Sequence, residues 1–376
     1  MNILKIFGSI DMNLVNIISE FQIQGKVLEI TAIESGHINT TYAVTSENES
    51  NTDYILQKIN CTVFQNIQEL TSNTIRITNH ITEKISQNAG SFVHEDSLCV
   101  VYTKGGSGFY QDNEGSYWRV FKMISETNTI EILSNKSQAN LIGRALGEFH
   151  QLLSDLPPTA LYDTIPKFHD TLHRIEQLKD SIRKNTVGRL PAISKDINCV
   201  LSFEAEIKEG LKNMLHDEIP SRAIHQDPKL GNLLFDKDNN VVCLIDLDTT
   251  MNGYLCYDFG DAVRGGMNTS KEDEIDLRRT SINMEFFKAF TIGYCNSTKS
   301  FILPEEVMTL AFGVKLITYE QTIRFFTDYL NGDVYYKTQL KDHNLIRARC
   351  QLELFKKARQ QYPLMHKFVL ESYAKI

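Results

Sequence analysis

No stretch of roughly 18 apolar residues runs uninterrupted, the length a membrane-spanning helix needs, so no membrane span is expected. Positive charge is in deficit: 39 Lys and Arg against 47 Asp and Glu leave a net charge of −8, with a pI near 5.7. That balance speaks against a general nucleic-acid binder. Cysteine is sparse and unpatterned. The seven thiols (Cys61, Cys99, Cys199, Cys243, Cys256, Cys295 and Cys350) are odd in number and show no CxxC spacing. This excludes a disulfide framework and a CxxC zinc site, and reduced thiols in the cytoplasm are expected. The first residues are mildly apolar but broken by Gly8 and Asp11, and no small-residue cleavage site follows, so a secretory leader is not expected. Internal repeats, low-complexity tracts and long linkers are also missing. What remains is an ordinary globular composition, 42% hydrophobic and 23% charged, in a chain long enough for one large or two moderate domains.

The stretch from Ile224 to Asp261, IHQDPKLGNLLFDKDNNVVCLIDLDTTMNGYLCYDFGD, carries most of the information. Two hydrophobic runs, 232–235 and 241–245, flank the polar turn 236–240, the pattern of a β-hairpin with a longer loop. Asp227 precedes the first strand, and Asp246 and Asp248 follow the second. A hairpin brings its outer ends together, so these carboxylates are expected to meet. Like charges gathered in this way need a cation or a proton between them, and Mg²⁺, which takes carboxylate, amide and phosphate oxygens, suits the set.

The pattern His225-x-Asp227-x-x-x-x-Asn232 followed by Ile245-Asp246 resembles the catalytic segment of the aminoglycoside phosphotransferase and choline kinase superfamily, which shares the protein-kinase-like fold. The resemblance implies ATP as phosphate donor, Asp227 as the base for the attacking hydroxyl, Asn232 as a Mg²⁺ ligand and Asp246 as the main Mg²⁺ carboxylate. Asp258-Phe259-Gly260 spells the literal DFG of protein kinases. It lies much further from Asp227 than Asp246 does, and Asp246 stands directly behind an apolar strand. The metal is therefore assigned to Asp246, and Asp258 and Asp261 read as acids that tie down the catalytic loop. Asp248 is assigned to the acceptor sugar or to a second metal.

Upstream, residues 11–24 place Leu14, Ile17, Ile18 and Phe21 on one helical face. Two strands, 27–30 and 41–44, surround the turn 34–39. A strand–glycine loop–strand unit covers phosphates in kinase-like folds, which nominates Gly36 and His37 for the nucleotide. The string SGHINTTY, with YILQKIN and VFQNI after it, resembles the N-acetylhexosamine 1-kinase branch, whose members phosphorylate the anomeric hydroxyl of GlcNAc or GalNAc. The next strand, 54–58, puts Gln57 where protein kinases carry a phosphate-binding lysine; Gln57 can donate a hydrogen bond but brings no charge, and Lys58 points to the opposite face. A long helix over 62–86, in which Glu69 reads as a simple exposed acid or as half of a local helix pair, and strands at 98–102 and 117–121 complete an expected five-stranded sheet with one long helix.

Further on, 137–153 reads as an amphipathic helix with His150 packed beside its apolar stripe. His169 and His173 stand at i, i+4 with no third ligand in metal-site spacing, and read as satisfied or solvated histidines. The charged run 271–279 reads as a solvated helix face. Pro304-Glu305-Glu306 begins a helix well that continues to about residue 330 and contains Arg324, with Glu320 and Asp328 at i−4 and i+4. A surface ion-pair ladder is one reading of Arg324. The other comes from IRFFTDYLNGDVYY, which resembles the hexosamine kinase branch and implies that Arg324 and Tyr335 contact the sugar.

The expectation is thus an α+β, protein-kinase-like, two-lobed protein. Residues 1–124 form a small N-lobe with the antiparallel sheet, and residues 125–376 a larger, mainly helical C-lobe with the catalytic loop, the metal and the acceptor-sugar site. It is expected to be a phosphotransferase making a sugar 1-phosphate from a small-molecule acceptor, with no obligate protein partner. Competing acceptors on the same fold are aminoglycosides, choline or ethanolamine, and homoserine. A pseudokinase that only binds nucleotide or glycan is disfavoured by the retention of Asp227, Asn232 and Asp246. A sulfatase is excluded because no Cys or Ser stands in a C/S-x-P-x-R context.

Overall fold

A computed structural model describes residues 11–33, 38–47, 52–87, 98–216 and 218–375. In chain order its first elements are α1 (Met12–Ser19), β1 (Lys26–Ile33), β2 (Thr40–Glu47), β3 (Tyr54–Lys58), α2 (Ile67–Gln87), β4 (Val100–Val101), β5 (Tyr110–Gln111) and β6 (Tyr117–Lys122). Then come α3 (Lys136–Leu152), α4 (Thr171–Lys184), α5 (Leu190–Leu201), α6 (Glu204–His216), β7 (Arg222–Ile224), β8 (Leu233–Phe235), β9 (Val241–Leu244) and β10 (Met251–Gly253). The chain closes with α7 (Leu255–Gly266), α8 (Met284–Thr298), α9 (Pro304–Asn331) and α10 (His343–Ala374). Among the described residues, no helix is long and apolar enough to cross a membrane.

The chain forms two compact units. The first, bearing the large sheet, comprises Met1–Ile130, Asp155–Pro166 and Gly231–Met251; the second, mainly helical, comprises Glu131–Ser154, Lys167–Leu230 and Asn252–Ile376.

In the first unit the strands pair in the order β1-β2-β3-β6-β4, with β5 also on β6. The pairings β1–β2, β2–β3, β3–β6, β4–β6 and β5–β6 are all antiparallel. β4 and β5 pair with successive stretches of the same strand, Val100 and Val101 with Phe121 and Val120, Tyr110 and Gln111 with Trp118 and Tyr117. The sheet is therefore five positions wide, the last shared by two short segments. Alternation along β3 and β6 sorts the side chains. Tyr54, Leu56, Trp118 and Val120 join Leu14, Ile17, Ile18 and Phe21 in one apolar cluster. The register pair Gln57 and Arg119 lies on the other face. Lys58, on the Trp118 side, sets its ammonium 5.6 Å from the indole ring centre. α1 starts where its sequence predicts, with Asp11 accepting from the backbone N–H of Asn13 at 2.9 Å.

The hairpin expected at 232–245 is β8 paired with β9, Leu233 opposite Leu244. Its turn is organised by Asp236, whose Oδ1 accepts from the N–H groups of Asp238 and Asn240, both at 2.8 Å. Asn239 adopts φ 64°, a left-handed conformation that asparagine tolerates.

In the helical unit, helices approach closely through glycine. A Cβ on Gly143 of α3 would lie 2.1 Å from the Phe290 carbonyl oxygen of α8, and one on Gly260 of α7 would lie 2.3 Å from that of Gly313 in α9. α9 runs as its sequence predicts, with Pro304 in the first turn and Glu306 accepting from the Leu303 N–H at 2.9 Å; it ends at Gly332, φ 98°. The charged run 271–279 departs from its expectation. It forms turns that end in one 3₁₀ turn, Leu277–Arg279, rather than a helix face. Asp276 accounts for this, since its side chain takes the Arg278 N–H and guanidinium, a local bond that competes with helical ones.

Candidate active site

Within the first unit, the hairpin carries Asn232 and Asp246 to the same end. The Ile245 N–H donates to the Asn232 carbonyl at 2.9 Å, one rung beyond the last pair of the ladder. Asp246 sits at φ 64°, ψ 55°, and the chain then closes into a 3₁₀ turn, Leu247–Thr249. An amide oxygen and a carboxylate at one end of a hairpin are hard oxygen donors of the kind a small divalent cation takes. Among the described residues, no three His, Cys, Asp or Glu gather into a closed metal cage. A centre built on one carboxylate and one amide leaves its other positions to water and phosphate, which is how Mg²⁺ is held at nucleotide sites.

Asp248, two residues on, has both carboxylate oxygens occupied. Arg119 of β6 grips it in a two-pronged bond (Nη1 to Oδ1 at 2.5 Å, Nη2 to Oδ2 at 2.8 Å), and Asn39 Nδ2 donates to Oδ2 at 2.8 Å. The pair is nearly sealed from solvent, Arg119 at 3% and Asp248 at 2% exposure. Thr164 Oγ1 donates to the Asp248 carbonyl at 2.7 Å. The loop that presents Asp246 is thereby fastened to the sheet through its neighbour. Gln57, expected in the position of a kinase lysine, accepts from Arg119 Nε at 3.0 Å and Nη2 at 2.8 Å, and donates to Thr41 Oγ1 at 3.2 Å. The cation beside Gln57 thus comes from the adjacent strand. Sequence reading missed Arg119; its signal is an arginine amid the apolar residues of Trp118-Arg119-Val120-Phe121. Gly36 and His37 lie outside the described residues.

In the helical unit, Asp227 follows a backbone that is tied from two sides. Asp258 accepts from the N–H of His225 and of Gln226, both at 2.7 Å, and from His150 Nε2 at 2.8 Å. His150 is therefore more than a packing residue: its Nδ1 also meets the Tyr294 hydroxyl at 2.9 Å. This bears out Asp258 as the acid that ties down the loop. Asp261 instead binds Arg264 at 2.8 Å. Gln226 has φ 65°, a strained conformation for a long side chain. It is held there by its N–H to Asp258, by its side chain to the Asn252 carbonyl (2.9 Å), and by His169 Nε2 on its own carbonyl (3.0 Å).

His169 also bonds Glu320 Oε1 through Nδ1 at 2.7 Å. With an acceptor at each ring nitrogen, both bonds form together only if both nitrogens carry protons. Burial opposes that charge, but Glu320 prevails and holds the imidazole above its ordinary value of 6.5. His169 is thus a satisfied histidine, not a metal ligand with His173. Lys229 Nζ lies 2.6 Å from Asp227 Oδ2. Burial raises the Asp227 pKa, the Lys229 charge outweighs it, and the net shift is downward. At neutral pH the carboxyl is ionised and able to accept a hydroxyl proton. Sequence reading missed Lys229, although a cation two residues after a candidate base is a visible signal. It also missed the His169–Glu320 pair, separated by most of the unit's sequence.

Arg324 is not part of an ion-pair ladder. Glu320 is taken by His169 and by Thr171 Oγ1 at 2.6 Å. Asp328 accepts from the N–H groups of Val334 (3.0 Å), Tyr335 (2.8 Å) and Tyr336 (3.0 Å), shaping the segment after α9. The guanidinium lies instead over aromatic rings, 5.1 Å from Phe168, 6.0 Å from Tyr335 and 5.7 Å from Tyr336. Arg324 and Tyr335 line one pocket of about 370 Å³.

Residues 29–295 match the model of the phosphotransferase enzyme family, APH. The chain also resembles solved structures at low identity. An aminoglycoside phosphotransferase from Alicyclobacillus acidocaldarius is 10% identical, with 96% of each chain covered and a TM-score of 0.62. Amicoumacin kinase hAmiN, in complex with AMP-PNP, Ca²⁺ and Ami, is 14% identical, covering 92% of this chain and 93% of that one, with a TM-score of 0.60. A choline/ethanolamine kinase family protein from Mesorhizobium loti is 15% identical over 97% and 99% of the two chains, with a TM-score of 0.53. These likenesses establish the protein-kinase-like α+β fold. With the match spanning most of the chain, including the candidate catalytic segment, the chain belongs to the phosphotransferase enzyme family.

Proposed function

We propose that the protein is an ATP- and Mg²⁺-dependent kinase that phosphorylates the anomeric hydroxyl of an N-acetylhexosamine, GlcNAc or GalNAc. The observation that carries this reading is the convergence of Arg324 and Tyr335, from α9 and the segment after it, on one pocket of the unit that also bears Asp227. Cationic acceptors such as aminoglycosides, choline or ethanolamine would require uncommitted carboxylates there. Asp328 and Glu320 are both committed to protein donors.

In this reading the sheet-bearing unit serves the nucleotide and the helical unit serves the acceptor. Asp227 accepts the hydroxyl proton and orients the oxygen for in-line attack. An anomeric hydroxyl is more acidic than an ordinary alcohol, so a carboxylate of low basicity suffices and positioning matters more than proton abstraction. Lys229 keeps Asp227 ionised. Asn232 and Asp246 would hold Mg²⁺, which neutralises charge on the phosphate oxygens. Asp248 serves by fixing the Asp246 loop through Arg119, and Gln57 orients that guanidinium on the nucleotide side.

The test is ³¹P NMR of the protein with Mg-ATP and a panel of acceptors. A new phosphate resonance coupled to the anomeric proton is expected with GlcNAc or GalNAc. Turnover confined to amino alcohols or aminoglycosides would replace the sugar by an amine, and no turnover with any acceptor would leave only a binding protein.

A further inference from the structure

The pocket that holds Arg324 and Tyr335 contains more positive charge than its own carboxylates neutralise. Arg174, on α4, lines it too. Its Nε and Nη2 reach the Phe168 carbonyl at 3.3 and 2.9 Å, and its Nη1 reaches Gln177 Oε1 at 2.9 Å. All these partners are neutral. Arg324 makes a single hydrogen bond, to Gln321 Oε1 at 3.3 Å, out of the five donors a guanidinium carries. Neither arginine forms an ion pair among the described residues.

The acids around them are committed elsewhere. Asp180 binds Lys184 at 2.6 Å and Arg183 at 3.3 Å. Asp328 takes three backbone N–H groups and Asn344 Nδ2 at 2.9 Å. Glu320 takes His169 and Thr171. Burial lowers the Arg174 pKa and the Arg324 charge lowers it further, while Glu320 pulls the other way on both arginines without pairing with either. Partly buried like charges without an ion-pair partner are unfavourable. A neutral hydroxyl would fill their donors but leave the charge uncompensated.

We propose that this pocket recognises an anionic substituent on the acceptor, a carboxylate, phosphate or sulfate carried by the sugar and gripped by Arg174 and Arg324. Guanidinium forks match the paired oxygens of all three groups. The volume of about 370 Å³ falls in the range of small-molecule sites. The proposal rests on the kinase reading for the hydroxyl that is phosphorylated, but not for the anion.

The test is calorimetric titration, without nucleotide, of N-acetylglucosamine, its 6-phosphate and 6-sulfate, N-acetylmuramic acid, and inorganic phosphate and sulfate. At least one acidic sugar is expected to bind about tenfold or more tighter than N-acetylglucosamine. The advantage should shrink as salt screens the charges and disappear in Arg174→Gln and Arg324→Gln. The comparison among the acidic sugars tells which anion is preferred. If either variant fails to fold, the salt dependence of the wild type decides. Equal binding of neutral and acidic sugars at low salt would overturn the proposal. So would inorganic phosphate or sulfate binding as tightly as the corresponding sugar. Phosphotransfer assays on the same panel separate the two readings. An acidic sugar that binds but is never phosphorylated leaves the pocket assignment standing and sinks the kinase reading. A sugar kinase indifferent to the anion does the reverse.

Discussion

Two short acidic stretches, Asp246-Leu247-Asp248 and Asp258-Phe259-Gly260-Asp261, look interchangeable as candidate metal sites and are built for different work. The first follows a strand and turns through a left-handed residue into a single 3₁₀ turn. The second lies inside α7, where Asp258 is buried and hydrogen-bonded to two backbone N–H groups and His150. Phe259 is fully buried, and Gly260 lets α7 approach α9. The literal kinase motif is here a packing and loop-bracing device. A carboxylate whose neighbours are backbone amides organises structure; one presented beside an amide oxygen at a hairpin end is a candidate to bind cations.

That contrast breaks down if the two acids respond alike to substitution. Asp246→Asn keeps a residue that tolerates positive φ and is expected to cost activity about 10³-fold, as loss of a group stabilising transition-state charge does, with little change in thermal midpoint. Steady-state kinetics with a melting curve checks both. Asp258→Ala should differ in lowering stability as well. Stranding His150 and two buried N–H groups is expected to cost about 3–5 kcal/mol of stability, read as a shifted denaturant midpoint. Equal stability losses at the two positions would erase the distinction.

The Arg119–Asp248 pair sharpens the same comparison, because it braces the Asp246 loop much as Asp258 braces the Asp227 loop. Arg119→Met or Asp248→Leu alone is expected to destabilise by about 3–4 kcal/mol, and the double variant by far less, since no uncompensated buried charge remains. Denaturant titration of the double-mutant cycle measures the difference. On α7, Gly260→Ala should cost about 1–3 kcal/mol by overpacking against the Gly313 carbonyl. Gly265→Ala, which meets nothing within 4 Å, should be neutral or slightly stabilising.

The smallest expected effect is in pH. The His169 pKa is raised, so its contribution is complete below its ordinary 6.5 and is lost as pH rises through the higher folded value. Glu320, lowered, contributes above its ordinary 4.5 and loses that contribution as pH falls through its lower folded value. The stability gap between wild type and His169→Gln should therefore be largest between these two values and narrow on the alkaline side. A gap that widens with pH would mean that the imidazole is held neutral.

Much of the local structure was legible from residues alone. α1 declares itself through the spacing of Leu14, Ile17 and Ile18, α9 declares its start through Pro304, and the β8–β9 hairpin shows in the apolar runs around Asp236–Asn240. The position of Asp246 behind a strand is a local fact as well. The run 271–279 was misread because charge periodicity is a weak signal, and Asp276 bonds locally instead.

By itself, then, the sequence determined most element types, the candidate catalytic segment and the family, because these rest on spacing within a few residues. Tertiary structure alone decided which charges have partners. Arg119 meets Asp248 across 129 residues, His169 meets Glu320 across 151, and the freedom of Arg324 follows from what Glu320 and Asp328 bind instead. Whether a charge is compensated depends on every group folded around it, and sequence distance says nothing about that.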